Sequence, residues 1–372
     1  MEKALTQGIS EGPMSRRGFL ALAGAASGGL VLAGLGSNAW ASPSNSSKKT
    51  VTAAFLMPED IVVRWKAADW RGFSSEAAKL GMRTYLAFAN NSISDQLAQA
   101  EEFISRGIDI LVVNPVNATA STELVLKAKR AQIPVIAYNF LIEGAPIDAY
   151  VAWDAVAMGE KVARFAIQRA PTGNYVLVWG DETTSVAQDE KTGHLKALKP
   201  YVASGKIKIV SQQFNGDWSP SDAENQAEEA LTKTHNKIAA FVCGNDGMAY
   251  GVIQALKRVG LAGKVVVVGV DSGGQALVDM EKGLLTGSNW GYFDVMGSQA
   301  ARVAYGAAQR KLPVPTTSIS NGAGKIPWYV TPNEMVDKAN LAGWIKNHVW
   351  YVNATLPKSE AQALLANYGI KA

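Results

Sequence analysis

Short, nearly continuous apolar runs alternate with stretches of helical apolar spacing along most of this chain, and the alternation occurs twice. In the first array, residues 51–57, 83–88, 110–113, 135–138 and 150–153 read as strands, and residues 65–80, 94–106 and 121–131 read as helices between them. The pattern then restarts. Asp154 suits the N-cap of a helix through residue 169, and strand-like runs follow at 175–179, 206–213, 238–243 and 265–270. Helical spacing fills the gaps at about 188–204, 221–233, 248–259 and 274–282. Strands apolar on both faces belong to parallel sheets covered on both sides by helices. The two arrays, joined without a long linker, predict an α/β chain of two doubly wound parallel-sheet lobes.

Residues 288–290 and 328–330 are too short to found a third domain and are expected to return and complete the lobes. The expected division is residues 50–153 plus about 288–322 for one lobe and 154–287 plus about 323–350 for the other. A C-terminal extension, 351–372, has a short helical pattern from 359 and no readable role.

The first 41 residues stand outside this pattern. Ser15-Arg16-Arg17-Gly18-Phe19-Leu20, an uncharged Gly/Ala-rich run to residue 35, and Ala39-Trp40-Ala41 have the order of a twin-arginine export signal with a small-residue cleavage site. The run is a little short for a retained membrane span, and no cysteine near the processing site is available for lipidation. A soluble periplasmic product is expected, opening on a flexible Ser/Asn/Lys leader at 42–49.

Several function classes are disfavoured. The net charge of +4 comes from scattered Lys and Arg without a phosphate-tracking stripe, so nucleic acid is not an expected partner, and a monomer is expected. The single cysteine, Cys243, lies within an apolar strand and reads as a core thiol. His194, His235 and His348 are far apart and lack metal-ligand spacing. No P-loop or G-x-S-x-G elbow occurs, and the glycine-rich turn 269–274 lacks dinucleotide spacing and places Asp271 where a phosphate would approach. Neither a cofactor nor a metal is expected.

Ligands of parallel α/β sheets collect beyond the carboxyl ends of the strands. In this chain those positions hold Glu59, Asp60, Arg64 and Trp65; Asn90 and Asn91; Asn114 and Asn117; Asn139 and Phe140; Asp181 and Glu182; Asn245 and Asp246; and Asp271 with Ser272. Carboxylates accept from hydroxyls, and amides both donate and accept, so the set suits a polyhydroxyl solute. Taken singly, each Asn or Asp is accounted for by turn and N-cap preference. Their joint occurrence in both arrays, with tryptophans interleaved, favours a site. Trp65 and Trp218 either pack on their adjacent helices or offer flat faces to a sugar ring or a cationic head group.

With these residues in view, the chain resembles periplasmic sugar-binding proteins of the ribose and xylose type. The resemblance runs from about residue 51 to 330 and rests on several segments. These are Arg64-Trp65 with Asp69; Ser105-Arg106-Gly107-Ile108-Asp109; Leu198-Lys199-Pro200-Tyr201 through Lys208; Asp217-Trp218-x-Pro220; Asn245-Asp246; Ile253-Gln254-Ala255-Leu256; and Asp271. It implies two lobes joined by a three-crossover hinge, with Arg64, Trp65, Trp218, Asn245 and Asp271 on the ligand and Asp154 at a hinge crossover. Asn139 and Phe140 stand where the family usually has an Asp-Arg pair, and Asn289-Trp290-Gly291-Tyr292 displaces a late lysine. The pocket is therefore expected to be more aromatic and less cationic than a xylose site, with Asp246 and Trp290 as further candidates and a neutral polyhydroxyl ligand other than plain xylose.

The leading functional expectation is a solute receptor for the permease and ATPase of an ABC importer, closing about its hinge. A sensory module read by a chemoreceptor or histidine kinase is the alternative. An exported enzyme on the same scaffold lacks a nucleophile with its base, though a cleft carboxylate with a strongly raised pKa would favour it.

Overall fold

The structure, a computed structural model, describes residues 49–371. The proposed export signal and most of the leader lie outside the described residues. Strands in chain order are β1 (Thr52–Met57), β2 (Arg83–Phe88), β3 (Ile110–Val113), β4 (Val135–Tyr138), β5 (Ala149–Ala152), β6 (Gly173–Trp179) and β7 (Ile207–Phe214). They continue with β8 (Ala240–Cys243), β9 (Val266–Val270), β10 (Gly287–Trp290), β11 (Thr317–Ser320), β12 (Lys325–Val330) and β13 (Glu334–Val336).

These strands make two sheets, in the orders β11-β12-β5-β4-β3-β1-β2 and β13-β10-β9-β8-β6-β7. The five strands read from the first array and the four read from the second are parallel within their sheets and share one topology: the first strand sits inside the second, and the third lies on its other flank. The reversal of strand order opens a crevice at the carboxyl ends, between β1 and β3 in one lobe and between β6 and β8 in the other. Both sheets end in an antiparallel pair, β11 with β12 and β10 with β13, so each is mixed rather than wholly parallel.

Helices are α1 (Arg71–Lys79), α2 (Ile93–Ser105), α3 (Thr122–Arg130), α4 (Ala155–Arg169), α5 (Ser185–Ala203) and α6 (Pro220–Lys233). After them come α7 (Asp246–Arg258), α8 (Gly274–Glu281), α9 (Phe293–Ala308), α10 (Leu341–Asn347), α11 (Val349–Thr355) and α12 (Lys358–Asn367). Side-chain oxygens of Ser92, Asp154, Ser219 and Asn245 accept from backbone N–H groups in the first turns of α2, α4, α6 and α7, as capping preference predicts. Instead of one α-helix over 65–80, the chain forms a π-helical segment, Trp65–Trp70, that runs into α1. Such segments occur mostly as local insertions near functional sites.

The chain passes between the sheets three times, between β5 and α4, between β10 and α9, and between β12 and β13. Here the structure corrects the expected division of the C-terminal part. β10 pairs with β9 and belongs to the second lobe, although residues 288 onward were assigned to the first. β12 pairs with β5 and belongs to the first lobe, although residues 323 onward were assigned to the second. The reason is register: short returning strands go wherever an edge offers unpaired backbone groups, and their own composition does not specify which edge.

The sixteen-residue α9 was not anticipated from the sequence; it returns to the first lobe and packs on α1 and the π-helical segment. Helices α10 and α11, also unanticipated, lie against α8 of the second lobe, and α11 touches the π-helical segment of the first. Arg71 completes that bridge with its guanidinium 4.1 Å from the Trp350 ring centroid. The C-terminal extension is therefore built into the interior, with Tyr351, Val352 and Leu365 buried.

Candidate functional site

A cavity of about 720 Å³ lies between the lobes and receives loops from the carboxyl ends of both sheets. Its size falls in the range typical of small-molecule sites, roughly 300–1,000 Å³. Arg64 is its central cation. It leaves the loop after β1 with 4 % of its surface exposed, and its guanidinium lies 3.9 Å from the Trp65 ring centroid and 3.8 Å from that of Phe293. Its Nη1 is 3.5 Å from Asp69 Oδ1, its Nη2 donates to Asn139 Oδ1 at 3.2 Å, and its Nε is 3.2 Å from Asp271 Oδ1. One buried cation thus faces two carboxylates from opposite lobes, with aromatic rings beside it.

Asp69 is fully buried and also accepts from the Tyr138 hydroxyl at 2.5 Å. Burial pushes its pKa up to about 7 against the opposing pull of Arg64 and Tyr138. Asp271 is likewise raised, to about 6, by burial, with Arg64 opposing. Its backbone has φ 107°, a conformation few residues other than glycine adopt, and its N–H donates to Asn289 O at 2.8 Å.

Trp65 is held by a 2.7 Å hydrogen bond from Nε1 to Glu59 Oε1, and meets Phe140 edge-on at 6.5 Å. Phe140, on the first lobe, lies nearly parallel to Trp218 of the second, with centroids 6.1 Å apart and planes at 8°. Trp218 owes its position to two features. Asp217 and Trp218 both adopt left-handed backbone, and Asp181 fixes their loop by accepting from Asp217 N at 2.8 Å. The indole also lies directly on Gly180, where a Cβ would come within 2.2 Å of the ring. Between the two packing alternatives for this tryptophan, the structure selects a loop position with the ring on the cavity.

Asn139 is buried with φ 59°, a conformation Asn tolerates, and its Nδ2 has no protein partner. Asn245 spends its Oδ1 on the N-cap of α7, accepting from Met248 N at 2.8 Å, which leaves its amide nitrogen uncommitted. Asp246, one residue on, accepts from Gly273 N at 3.0 Å and from the Ser288 hydroxyl at 2.7 Å. Burial, with Asp271 nearby, holds its pKa well above the ordinary carboxylate value.

Arg64, Trp65, Asn139, Phe140, Trp218, Asn245, Asp246 and Asp271 all line the cavity. Trp290 does not. It is fully buried in a cluster with Phe293, Trp344 and Tyr351, at centroid distances of 4.7, 5.3 and 4.8 Å. The sequence placed it at the end of the short segment 288–290, and it is indeed the last residue of β10, but its side chain is buried in the core rather than at the cavity. Asp154 caps α4 at the first crossover and is likewise not a lining residue.

Among the lining residues that the sequence did not single out are Glu190 and Tyr351. Glu190, on the second turn of α5, is 1 % exposed, and its Oε2 has no partner. Helix α5 begins three residues earlier than its apolar spacing indicated, which sets Glu190 on its second turn rather than its first. Tyr351, from α11, is buried with an unpartnered hydroxyl and lines the cavity. Among the described residues, no group of His, Cys, Asp and Glu is arranged to hold a metal ion.

Comparison with known proteins places this geometry among relatives. Residues 54–312 match the model of a periplasmic binding protein domain. The chain is 35 % identical over 278 residues to the D-xylose-binding periplasmic protein of Escherichia coli K12, covering 75 % of this chain and 84 % of that protein. It is 28 % identical to a xylitol-binding protein of Mycolicibacterium smegmatis, over 69 % of this chain and 70 % of that one. A solved carbohydrate-transporter solute-binding protein from Chloroflexus aurantiacus, in complex with D-glucose, superposes with a TM-score of 0.75 over 83 % of this chain and 99 % of its own, at 21 % identity.

Proposed function

Because this chain belongs to the periplasmic binding protein family, we propose that it is the sugar-binding receptor of an ABC importer, taking a monosaccharide or polyol into the cleft between its lobes. The observation that carries this reading is a set of cavity-lining residues that carry buried polar atoms without protein partners. Asn139 Nδ2, Trp218 Nε1, Glu190 Oε2 and Tyr351 OH are all in this state. Buried polar groups left unpaired cost free energy, and a hydroxylated ligand would satisfy them. Phe140 and Trp218 supply flat faces for the apolar side of a ring.

The protein binds rather than catalyses. The raised carboxylates Asp69, Asp246 and Asp271 could serve an acid catalyst, yet the cavity lining contains no Ser, Cys, His or Lys to act with them, and the curated relatives are binding proteins. Those relatives are periplasmic and import receptors, which favours delivery to a permease and ATPase over a sensory role. The Arg16-Arg17 segment supports export by the twin-arginine route to the periplasm, where the protein would work as a monomer. Asp154 serves in this reading as a hinge residue, since it caps a helix at a crossover.

A thermal-shift screen over pentoses, hexoses, polyols and nucleosides tests the proposal, because a specific ligand raises apparent stability by mass action. A clear rise with a polyhydroxyl compound is expected. The absence of any rise across the panel would overturn it.

A further inference from the structure

We infer that the natural ligand carries a protonated amine in addition to hydroxyl groups, and that Glu190 is the counter-ion of that amine. The inference rests on the polyhydroxyl reading above and replaces the neutral solute expected from sequence with a cationic one. Its basis is a charge imbalance within the cavity. Seven carboxylate side chains line it against a single cation, Arg64. That guanidinium is already committed, to Asp69 and Asp271 by charge and to Asn139 by hydrogen bond. No other cation lines the cavity to serve the remaining acids.

Those acids differ in how well the protein satisfies them. Asp246 accepts from Gly273 N and from the Ser288 hydroxyl, and Glu59 from Trp65 Nε1 and the Val62 N–H. Asp181 is held within its own loop by Thr183. Glu190 has no such partner. It is buried to 1 % exposure, and its unpartnered Oε2 lies beside the bare backbone of Gly244, 2.9 Å from where a Cβ would stand. A larger residue at 244 would meet that oxygen, so the glycine leaves room for the carboxylate at the end of β8.

A buried carboxylate without a donor or counter-charge is among the costliest arrangements a fold can hold. A neutral hydroxyl would give Glu190 a hydrogen bond and leave it protonated. An ammonium would provide a hydrogen bond together with the counter-charge that holds the acid ionised, and its N–H groups match the acceptor-only carboxylate so formed. The parallel rings of Phe140 and Trp218 add attractive faces for the positively polarised carbons next to such a nitrogen. Burial, with Asp271 and Asp189 close by, raises the Glu190 pKa well above the ordinary value, so the empty cleft holds it as a neutral acid, and a bound ammonium would stabilise the carboxylate and release that proton.

The test pairs each neutral compound with its amine: D-glucose with D-glucosamine, D-galactose with D-galactosamine, and myo-inositol with an amino-inositol. Affinities are measured by calorimetry on the wild type and on Glu190→Gln. At least one amine should bind ten-fold or more tightly than its neutral partner, and Glu190→Gln should erase that preference while neutral binding persists. If neutral compounds bind as well as or better than their amines, the inference fails and the receptor reading stands. If Glu190→Gln keeps the full amine preference, the assignment of Glu190 fails. If no member of any pair binds, both readings fail. Should Glu190→Gln not fold, the wild-type comparison decides between amine and neutral ligand by itself.

Discussion

Arg64 Nε lies 3.2 Å from Asp271 Oδ1, joining the loop after the first strand of one lobe to the end of a strand in the other. Both side chains are largely withdrawn from solvent, at 5 % and 18 % exposure. The pair therefore couples the position of the lobes to the charge state of the cleft, the site proposed for the ligand.

Asp271→Asn should leave the fold nearly intact, because Asp69 and Asn139 still hold the guanidinium. The stability change is expected within about 2 kcal/mol, below the several kcal/mol of an entirely orphaned buried charge. Ligand affinity should fall at least ten-fold, about 1.4 kcal/mol. Chemical denaturation and calorimetry on one preparation separate the two effects. Unchanged affinity would remove Asp271 from the site.

Gly180→Ala acts on the site without touching a ligand group. The new methyl would stand 2.2 Å from the Trp218 ring, so the indole must leave its present place. Loss of the stack on Phe140 should lower affinity by about 1–2 kcal/mol, read as a weaker ligand-induced thermal shift. Trp218→Ala should match it, and additive losses in the double variant would show that Gly180 acts by another route.

Tyr351→Phe removes one buried hydroxyl that has no protein partner, so the empty protein should be as stable or slightly more stable. Binding should weaken by about 1 kcal/mol if that hydroxyl meets the ligand. A melting scan with and without ligand reports both quantities.

The pH dependence follows mainly from six carboxyls and one imidazole. Asp69, Asp189, Glu190, Asp246, Asp271 and Asp279 have folded pKa values raised above their ordinary ones, so their contribution is present at low pH and is lost as pH rises through the folded values, about 7 for Asp69 and about 6 for Asp189 and Asp271. His194 opposes them: burial lowers it to about 3, so its contribution is present above 6.5 and is lost as pH falls. The carboxyls outnumber it, and the ligand-free melting temperature should fall between about pH 4 and 7. His194→Phe should steepen that fall by about 1.4 kcal/mol per pH unit between pH 4 and 6.5. A melting temperature that rises with pH across this window would contradict the burial of these groups.

The amino-acid sequence by itself determined the two βα arrays, most of their strands, the capping of α4 by Asp154 and of α7 by Asn245, and the loops that converge on the cleft. These are local properties: apolar runs, capping oxygens and the residue after a strand act over a few positions, and the chain states them directly. Tertiary structure decided the rest. Trp290 and Tyr351 carry similar aromatic signals, yet packing buries the first in the core away from the cavity and makes the second a lining residue with an unpartnered hydroxyl. Glu190 reads as one more charge on a helix, and only the meeting of α5 with the end of β8 makes it a buried, unpartnered acid. β10 and β12 went to the sheets opposite those expected, since the edge a short strand joins depends on which backbone groups remain unpaired once both lobes have formed.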